Sequence, residues 1–450
     1  MKENKGSFAF IVGTTSLAFV VSQLDVSIVN VALPAIGRSF AARISTLQWV
    51  VDAYTIAFAV FMLSAGGMGD LLGAKRLFQL GLLVFTLASA GCGLAWSPLA
   101  LVIFRVVQGM GSAIMIPSSL SLLNHDFADD PNKRAHAVAL WTAAGSVSIA
   151  AGPVLGGLLI HLGSWRWIFF VNLPLGGLGL FCSVRLRESG TSEHRGFDVS
   201  GQLLWMLALT TLIAAIIEWR EANVAREYIY GGLVFSLVML ALFLAREKRA
   251  VSPILPLNLF ASRNFNLLTG LGMILNGSYY GSVFIISLYL QNALHYSGLQ
   301  AGLAFLPLTG GLLVSNLASG WLIRKYGIRV PIRMGMLVAA TGYALLLLAG
   351  QNTPYWALLP AFFCIPLGMG TAVPAMTTGV LATVERNRSA IASAVLNTTR
   401  QAAGAVGVAV FGAMAAGGSE AIVRAIRESA LISIACLIVY FTVIFRYLKN

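Results

Sequence analysis

The sequence contains very few charged residues for its length. Only 10% of its 450 residues are Asp, Glu, Lys or Arg, whereas 58% are hydrophobic, and the mean hydropathy is +0.81. A soluble domain has about 25% charged residues, so the composition excludes an ordinary soluble protein. Apolar runs of about 20 residues recur along the chain, which is the length that an α-helix needs to cross a bilayer.

Acidic residues, cysteine and histidine are also scarce. Seventeen Asp and Glu stand against 30 Lys and Arg, which gives a net charge of +13. The basic residues lie in short clusters between apolar runs, which argues against nucleic-acid binding. The four cysteines and five histidines show neither a C-x-x-C pair nor metal-ligand spacing, so we expect no metal site. The chain also lacks a G-x-x-x-x-G-K-[ST] phosphate loop, which argues against a nucleotide-driven pump.

The apolar runs predict an all-α integral membrane protein with fourteen transmembrane helices. The predicted spans cover residues 8–33, 47–66, 77–96, 99–122, 136–160, 166–184, 200–218, 229–245, 266–290, 299–322, 333–350, 355–380, 391–416 and 429–447. If the N-terminus is inside, the inner loops contain about three times as many Lys and Arg as the outer loops. Both termini are therefore predicted to be cytoplasmic.

A weak internal repeat predicts two bundles of six helices with two additional helices between them. A tight basic loop entered from a glycine occurs at residues 66–76 and again at residues 320–329. A second pair of short basic segments precedes spans five and thirteen. Internal repeats of this kind are typical of secondary transporters. The predicted units are residues 1–187, 188–250 and 251–450.

A buried carboxylate is the most informative single feature of the sequence. Asp25 lies within the first apolar run, where a charged side chain costs at least about 2.5–3.5 kcal/mol. Ser22 lies one turn away, and Gln23, Ser27 and Asn30 form a neighbouring row. This side of the helix is therefore expected to face a cavity or other helices, and not lipid.

Several motifs occur in the order of a known family. They are Leu24–Pro34 in the first span, Gly66–Arg76 in the first inner loop, Leu101, Arg105, Gln108, Gly109 and Gly111 in the fourth span, Gly152–Gly157 in the fifth, and Trp165–Pro174 at the sixth. The set resembles the major facilitator superfamily, and within it the fourteen-helix drug:proton antiporters. Leu71 and Ala74 depart from the family's loop motif, and Ser148 replaces one glycine of the fifth-helix motif. Spans nine to fourteen contain no well-buried carboxylate, so proton coupling would depend on the N-terminal half.

Three residues are candidates for proton coupling: Asp25, Asp52 and Arg105. A carboxylate in a low-dielectric cavity can load and release protons, although Asp25 could instead make a structural hydrogen bond. Asp52 could carry a proton or bind a substrate cation, or it could be a solvated residue near the outer surface. Arg105 does not deprotonate, so we expect it to act as a fixed charge beside a first-helix carboxylate or carbonyl.

Two further sets of residues would serve conformational change. The first is a cytoplasmic gate formed by Gly66, Asp70, Gly73, Lys75 and Arg76. The second belongs to the fifth helix, where small residues permit close helix contact and a proline removes one backbone hydrogen bond. Its members are Gly145, Gly152, Pro153, Gly156 and Gly157.

The substrate cavity is predicted to combine aromatic side chains with a few polar ones. The candidates are Tyr54, Gln108, Asn276, Tyr279, Tyr280, Phe284, Gln291, Asn397 and Arg400. Aromatic faces attract cations, so lipophilic cations are expected substrates. Arg400 could line this cavity or anchor its helix near the inner surface.

The sequence thus predicts a secondary transporter of a bacterial cytoplasmic (inner) membrane that exports hydrophobic or cationic drugs in exchange for protons. The proton gradient would drive it without a cofactor, and a monomer would suffice. The alternative is an exporter dedicated to one natural compound, such as a siderophore or a tetracycline-like antibiotic. A channel is disfavoured because no filter-like repeat is present, and an enzyme because no catalytic cluster is present.

Overall fold

The computed structural model describes residues 7–188, 198–221, 224–250, 253–385 and 389–448, except for the side chains at 66, 67, 69–71, 131, 389 and 390. These residues form helices joined by short turns, and the described part of the chain contains no β-strand. The helices are α1 Phe8–Phe40, α2 Ile44–Leu72, α3 Ala74–Leu94, α4 Pro98–Asp126, α5 Pro131–Leu162, α6 Trp167–Phe170, α7 Asn172–Ser183, α8 Val199–Ile217, α9 Arg226–Glu247, α10 Arg263–Leu288, α11 Gly298–Ala304, α12 Leu306–Tyr326, α13 Arg329–Leu346, α14 Tyr355–Ala382, α15 Ser389–Met414 and α16 Ser419–Tyr447.

The all-helical prediction is therefore confirmed for the described residues. Within the described ranges, eleven helical segments are long and apolar enough to cross a membrane. Trp167–Ser183 is a shorter apolar segment, and α13 and α15 are not among the eleven. The predicted number of fourteen crossings thus stays a prediction.

The helices pack in two groups with a helix pair beside them. Helices α1 to α7 contact one another, as do α10 to α16, and α8 packs against α9, α2 and α15. The predicted borders at residues 187 and 250 lie close to the ends of described ranges. The division into three units also stays a prediction.

Polar contacts hold α8 against α2 at both ends. At one end, Glu221 accepts hydrogen bonds from Arg43 and Ser45, each at 2.7 Å. At the other end, the Gln202 amide donates to the Val60 carbonyl at 2.7 Å and its oxygen accepts from Ser64. The added helix pair is therefore attached to α2.

The two groups of helices meet through the C-terminal parts of α1, α5, α10 and α15, the first turns of α2 and the start of α11. The Gln48 amide of α2 donates to the Ala409 carbonyl of α15 at 2.7 Å, and the Gln291 amide, just after α10, donates to the Val31 carbonyl of α1 at 2.9 Å. A Cβ atom at Gly157 of α5 would lie 2.6 Å from the Gly298 carbonyl oxygen of α11. The structure is therefore closed at this end of the helices.

The first helix is longer than predicted because it continues through a proline. The sequence analysis ended this span at residue 33, whereas α1 contains Pro34 and extends to Phe40. Proline has no backbone N–H, so the Asn30 carbonyl loses its helical partner. The Ser287 hydroxyl of α10 donates to this carbonyl. The carbonyl that Pro34 leaves free thus accepts a hydrogen bond that joins the two groups of helices.

Candidate functional site

Three donors from two helices converge on the Asp25 carboxylate, which is fully buried on α1. Arg105 of α4 forms an ion pair with one carboxylate oxygen. The Gln108 and Asn172 amides donate to the other oxygen, at 2.9 and 3.2 Å. Asp25 thus lies inside the N-terminal group of helices, at the meeting point of α1, α4 and α7.

The Arg105 guanidinium also has several other partners. Its Nε donates to the Val50 carbonyl of α2 at 3.0 Å, and Nη1 donates to the Gln108 amide oxygen at 2.8 Å. The guanidinium carbon lies 4.3 Å from the centre of the Tyr54 ring, a distance at which the charge is attracted to the ring face. The expected first-helix carboxylate partner of Arg105 is present as Asp25, whereas the carbonyl partner belongs to α2.

A hydroxyl network continues from this cluster. The Tyr54 hydroxyl is 2.9 Å from the Ser22 oxygen and 2.6 Å from the Ser112 oxygen. Ser22 lies one turn before Asp25 on α1, and Ser112 lies one turn after Gln108 on α4. Tyr54 and Gln108, which were predicted to line the substrate cavity, thus belong to the Asp25 cluster.

Asp52 lies on a different face of α2. Its side chain is fully buried, so the interpretation as a solvated residue near the surface is wrong. Asp52 lies one turn after Gln48, which bridges to α15, and one turn before Ile56. Ile56 packs with Ala405 and Ala409 of α15. Neither carboxylate oxygen has a hydrogen-bond partner among the described residues. Asp52 is therefore an unpartnered carboxyl group on the α2 face that packs against α15.

A narrow cavity of about 40 Å³ lies between the two groups of helices. It is bounded by α1 and α5 on one side and by α10 and α12 on the other. Tyr279 and Tyr280 line it as predicted, together with Val26, Ser27, Asn30, Val31, Ile149, Pro153, Val283, Phe305, Leu308, Thr309 and Leu312. None of the described residues that line it carries a charge. The cavity thus suits an apolar or aromatic group.

The other predicted cavity residues lie elsewhere. Phe284 is fully buried in the packing core of α10, and Gln291 binds the Val31 carbonyl at the closed end. Asn276, Asn397 and Arg400 form a separate group between α10 and α15, in which both amide oxygens accept from the guanidinium at 3.5 Å. Phe284 and Gln291 therefore do not line the cavity in this conformation.

The predicted cytoplasmic gate is only partly described, because the side chains of Gly66 and Asp70 lie outside the described residues. Gly73 has φ +88°, in the left-handed region that favours glycine. Glu188, which follows α7, accepts a hydrogen bond from the Lys75 backbone N–H at 3.0 Å and lies 3.8 Å from the Arg76 guanidinium. This basic loop is thus joined to the end of α7 through Glu188.

The fifth-helix glycines allow close packing of α5 on α1. A Cβ atom at Gly156 would lie 2.7 Å from Ile28. Cβ atoms at Gly145 and Gly152 would collide with Phe19 and Ser27. Gly157, at the far end, contacts Gly298 instead.

Sequence reasoning missed three site residues. Asn172 was noted only within a longer motif, yet its amide binds Asp25. Glu188 and Ser287 were not singled out. Asn172 follows a tryptophan-rich stretch and lies near the start of α7, so its polar amide in an apolar segment was the available signal.

The model of the Major Facilitator Superfamily matches residues 15–408. The chain belongs to the Major Facilitator Superfamily. It is accordingly a multi-pass membrane protein of a transporter family and not of an enzyme family, and the resemblance found in its sequence is confirmed.

Curated relatives within the superfamily are named for drug resistance. The chain is 34% identical over 398 residues to the methylenomycin A resistance protein of Bacillus subtilis (strain 168), covering 88% of this chain and 85% of the relative. It is also 34% identical over 403 residues to the multidrug resistance protein Stp of Mycobacterium tuberculosis (strain CDC 1551 / Oshkosh), covering 89% and 75%.

Solved superfamily structures share the fold. A peptide transporter POT in complex with sulfate has a TM-score of 0.72 at 12% identity and covers 98% of this chain and 94% of its own. An inward-facing bacterial homologue of the lysosomal transporter Spinster has a TM-score of 0.68 at 16% identity, with 97% of each chain covered.

Proposed function

We propose that this chain is a proton-coupled antiporter that exports hydrophobic small molecules by alternating access. The observation that supports this most strongly is Asp25, a fully buried carboxylate held by Arg105, Gln108 and Asn172. An ionisable group at membrane depth indicates an ion or proton pathway. The names of the relatives, which refer to drug and antibiotic resistance, support an export function.

Protonation of Asp25 is the proposed coupling step. A proton on the carboxyl removes the negative charge that Arg105 pairs with, so the contact between α1 and α4 weakens. Arg105 keeps its bond to the Val50 carbonyl, which links the change to α2. Since α2 also bridges to α15 through Gln48, the step reaches the contact between the two groups of helices.

Asp52 is the proposed second acid. It lies one turn from the Gln48 bridge, and both of its oxygens are unpartnered in the described part of the structure. A buried charge without a partner is unfavourable by several kcal/mol, so we propose that Asp52 holds a proton in this conformation. Separation of α2 from α15 would expose the carboxyl group to water.

The proposed topology has fourteen crossings, with both termini on the cytoplasmic side of a bacterial cytoplasmic membrane. In this orientation the closed end of the molecule faces outward, so the conformation is inward-facing. The proposed transporter works as a monomer and needs no cofactor, because the proton gradient supplies the energy.

The cavity favours aromatic or aliphatic compounds. Its walls combine Tyr279 and Tyr280 with aliphatic side chains, and the predicted affinity for lipophilic cations rests on these aromatic faces. A second candidate is an exporter dedicated to one compound. The relatives support both, since one is named for methylenomycin A and another for multidrug resistance.

Transport by purified protein in liposomes tests the proposal. An imposed pH gradient without nucleotide is expected to drive accumulation of a fluorescent hydrophobic compound, with proton movement in the opposite direction. A panel that includes antibiotics distinguishes the broad exporter from the dedicated one. Single-channel currents, or transport that ignores the pH gradient, would contradict the proposal.

A further inference from the structure

A second arginine lies within a helix of the C-terminal group but has no acidic partner. Arg400 is on α15, and Nη1 and Nη2 lie 3.5 Å from the amide oxygens of Asn397 and Asn276. Ordinary N–H···O hydrogen bonds measure about 2.7–3.2 Å, so both contacts are long. Its Nε is buried without a hydrogen-bond partner among the described residues.

The contrast with Arg105 is informative. Arg105 has an ion pair, a carbonyl, an amide oxygen and an aromatic ring, whereas Arg400 has only two distant neutral oxygens. Residues 251–450 contain three glutamates and no aspartate. Two of them, Glu385 and Glu420, are exposed, and the third, Glu428, lies 28 positions further along the chain on α16. The described part of this half therefore offers Arg400 no carboxylate.

Arg400 lies next to the cavity between the two groups of helices. Gly404, one turn further along α15, packs against the Tyr280 ring, and a Cβ atom there would lie 3.2 Å from that ring. Tyr280 lines the cavity, and Asn276, one turn before it on α10, is a partner of Arg400. The Arg400 guanidinium therefore lies behind Tyr280 as seen from the cavity.

We infer that Arg400 binds an acidic group, such as a carboxylate, of the exported compound, while the apolar body of the compound packs against Tyr279 and Tyr280. A guanidinium binds a carboxylate through two parallel N–H···O bonds and stays charged inside proteins. The substrate thereby supplies the counter-charge that the protein lacks. This inference rests on the proposed export function and specifies its substrate as a hydrophobic anion.

The same arrangement disfavours a cationic substrate. No described cavity residue is acidic, and a positive group beside Tyr280 would face the Arg400 charge without a compensating carboxylate. The attraction of aromatic faces for a cation is about 0.5–2 kcal/mol, and the repulsion from the Arg400 charge opposes it. The aromatic side chains are therefore assigned to the body of the substrate.

Equilibrium binding of three matched probes to the purified full-length protein tests the inference. The probes are 1-naphthylacetate, 1-naphthylacetamide and (1-naphthylmethyl)trimethylammonium, which share a ring and differ in charge. Wild type is expected to bind the acetate at least about tenfold more tightly than the amide, a difference of about 1.4 kcal/mol, and the ammonium compound least tightly. Arg400→Gln is expected to lose this preference because acetate binding weakens far more than amide binding, and Arg400→Lys to retain part of it.

Acetate binding that is undetectable in wild type, or no tighter than amide binding, would overturn the inference without reliance on any variant. A preference that survives in Arg400→Gln would overturn it as well. Melting temperatures of the variants close to that of wild type show that they are folded. The same protein in liposomes separates the two proposals, because an acetate preference in binding without transport driven by a pH gradient would contradict the antiporter and leave the anion site intact.

Discussion

Removal of Arg105 is expected to destabilise the protein through the carboxylate that it leaves behind. Deleting one partner of a buried ion pair costs about 3–5 kcal/mol, since the other charge stays buried without compensation. In Arg105→Gln, the amides of Gln108 and Asn172 still donate to Asp25. We therefore expect a loss near the lower end, about 3 kcal/mol.

The double variant Asp25→Asn/Arg105→Gln is the matched control. It removes both charges, so no uncompensated charge remains, and it is expected to be more stable than Arg105→Gln alone. Asp25→Asn alone keeps the Arg105 bonds to the Val50 carbonyl and to Gln108, and we expect it to lose less than Arg105→Gln. The two single effects are therefore not additive.

Thermal unfolding of the four proteins in detergent measures these differences. For a cooperative unit of about 150–250 residues, 1 kcal/mol shifts the melting temperature by about 2–4 °C. Arg105→Gln is thus expected to melt about 6–12 °C below wild type, and the double variant between the two. A double variant that melts lower than Arg105→Gln would refute the reasoning, because the two charges would then not compensate each other.

Three further predictions concern the contact between the two groups of helices. Gln48→Ala removes the bond to the Ala409 carbonyl, so a thiol reagent is expected to label Ala409→Cys faster in a cysteine-free background. Equal labelling rates with and without Gln48→Ala would show that this bond does not hold the two groups of helices together. Gly157→Ala places a methyl group about 2.6 Å from a backbone carbonyl of the other group and is expected to speed the same labelling, whereas the control Gly310→Ala has open space; identical effects of the two variants would contradict the packing argument. Asp52→Asn is expected to remove the pH dependence of this labelling that exceeds the intrinsic ionisation of the thiol, without unfolding the protein, because the carboxyl makes no described hydrogen bond; an unchanged excess would remove Asp52 from the coupling mechanism.

Much of the fold followed from the sequence because membrane helices depend on local properties. Apolar length and the absence of charge predicted the helices, and the pairing of Asp25 with Arg105 followed from the cost of isolated charges in a membrane. Pro34 misled the prediction of the first helix, since its effect on helix length depends on whether another helix, here α10 through Ser287, satisfies the freed carbonyl.

The cavity was harder to predict because its walls come from distant segments. Tyr279 and Tyr280 line it, whereas Phe284, one turn later on α10, is packed in the core. Residue type and helical spacing do not distinguish these positions, since each depends on which neighbouring helix covers that face. Gln291 and Glu188 likewise obtain their roles from contacts with segments more than 100 residues away.

The most direct test of proton coupling compares two modes of transport by Asp25→Asn in liposomes. Exchange of labelled for unlabelled substrate at equal pH requires substrate binding and movement of the helices but no net proton transfer. Uptake driven by a pH gradient requires both movement and proton transfer. If Asp25 carries the coupled proton, the variant keeps exchange and loses gradient-driven uptake; gradient-driven uptake at the wild-type level in Asp25→Asn would contradict the account.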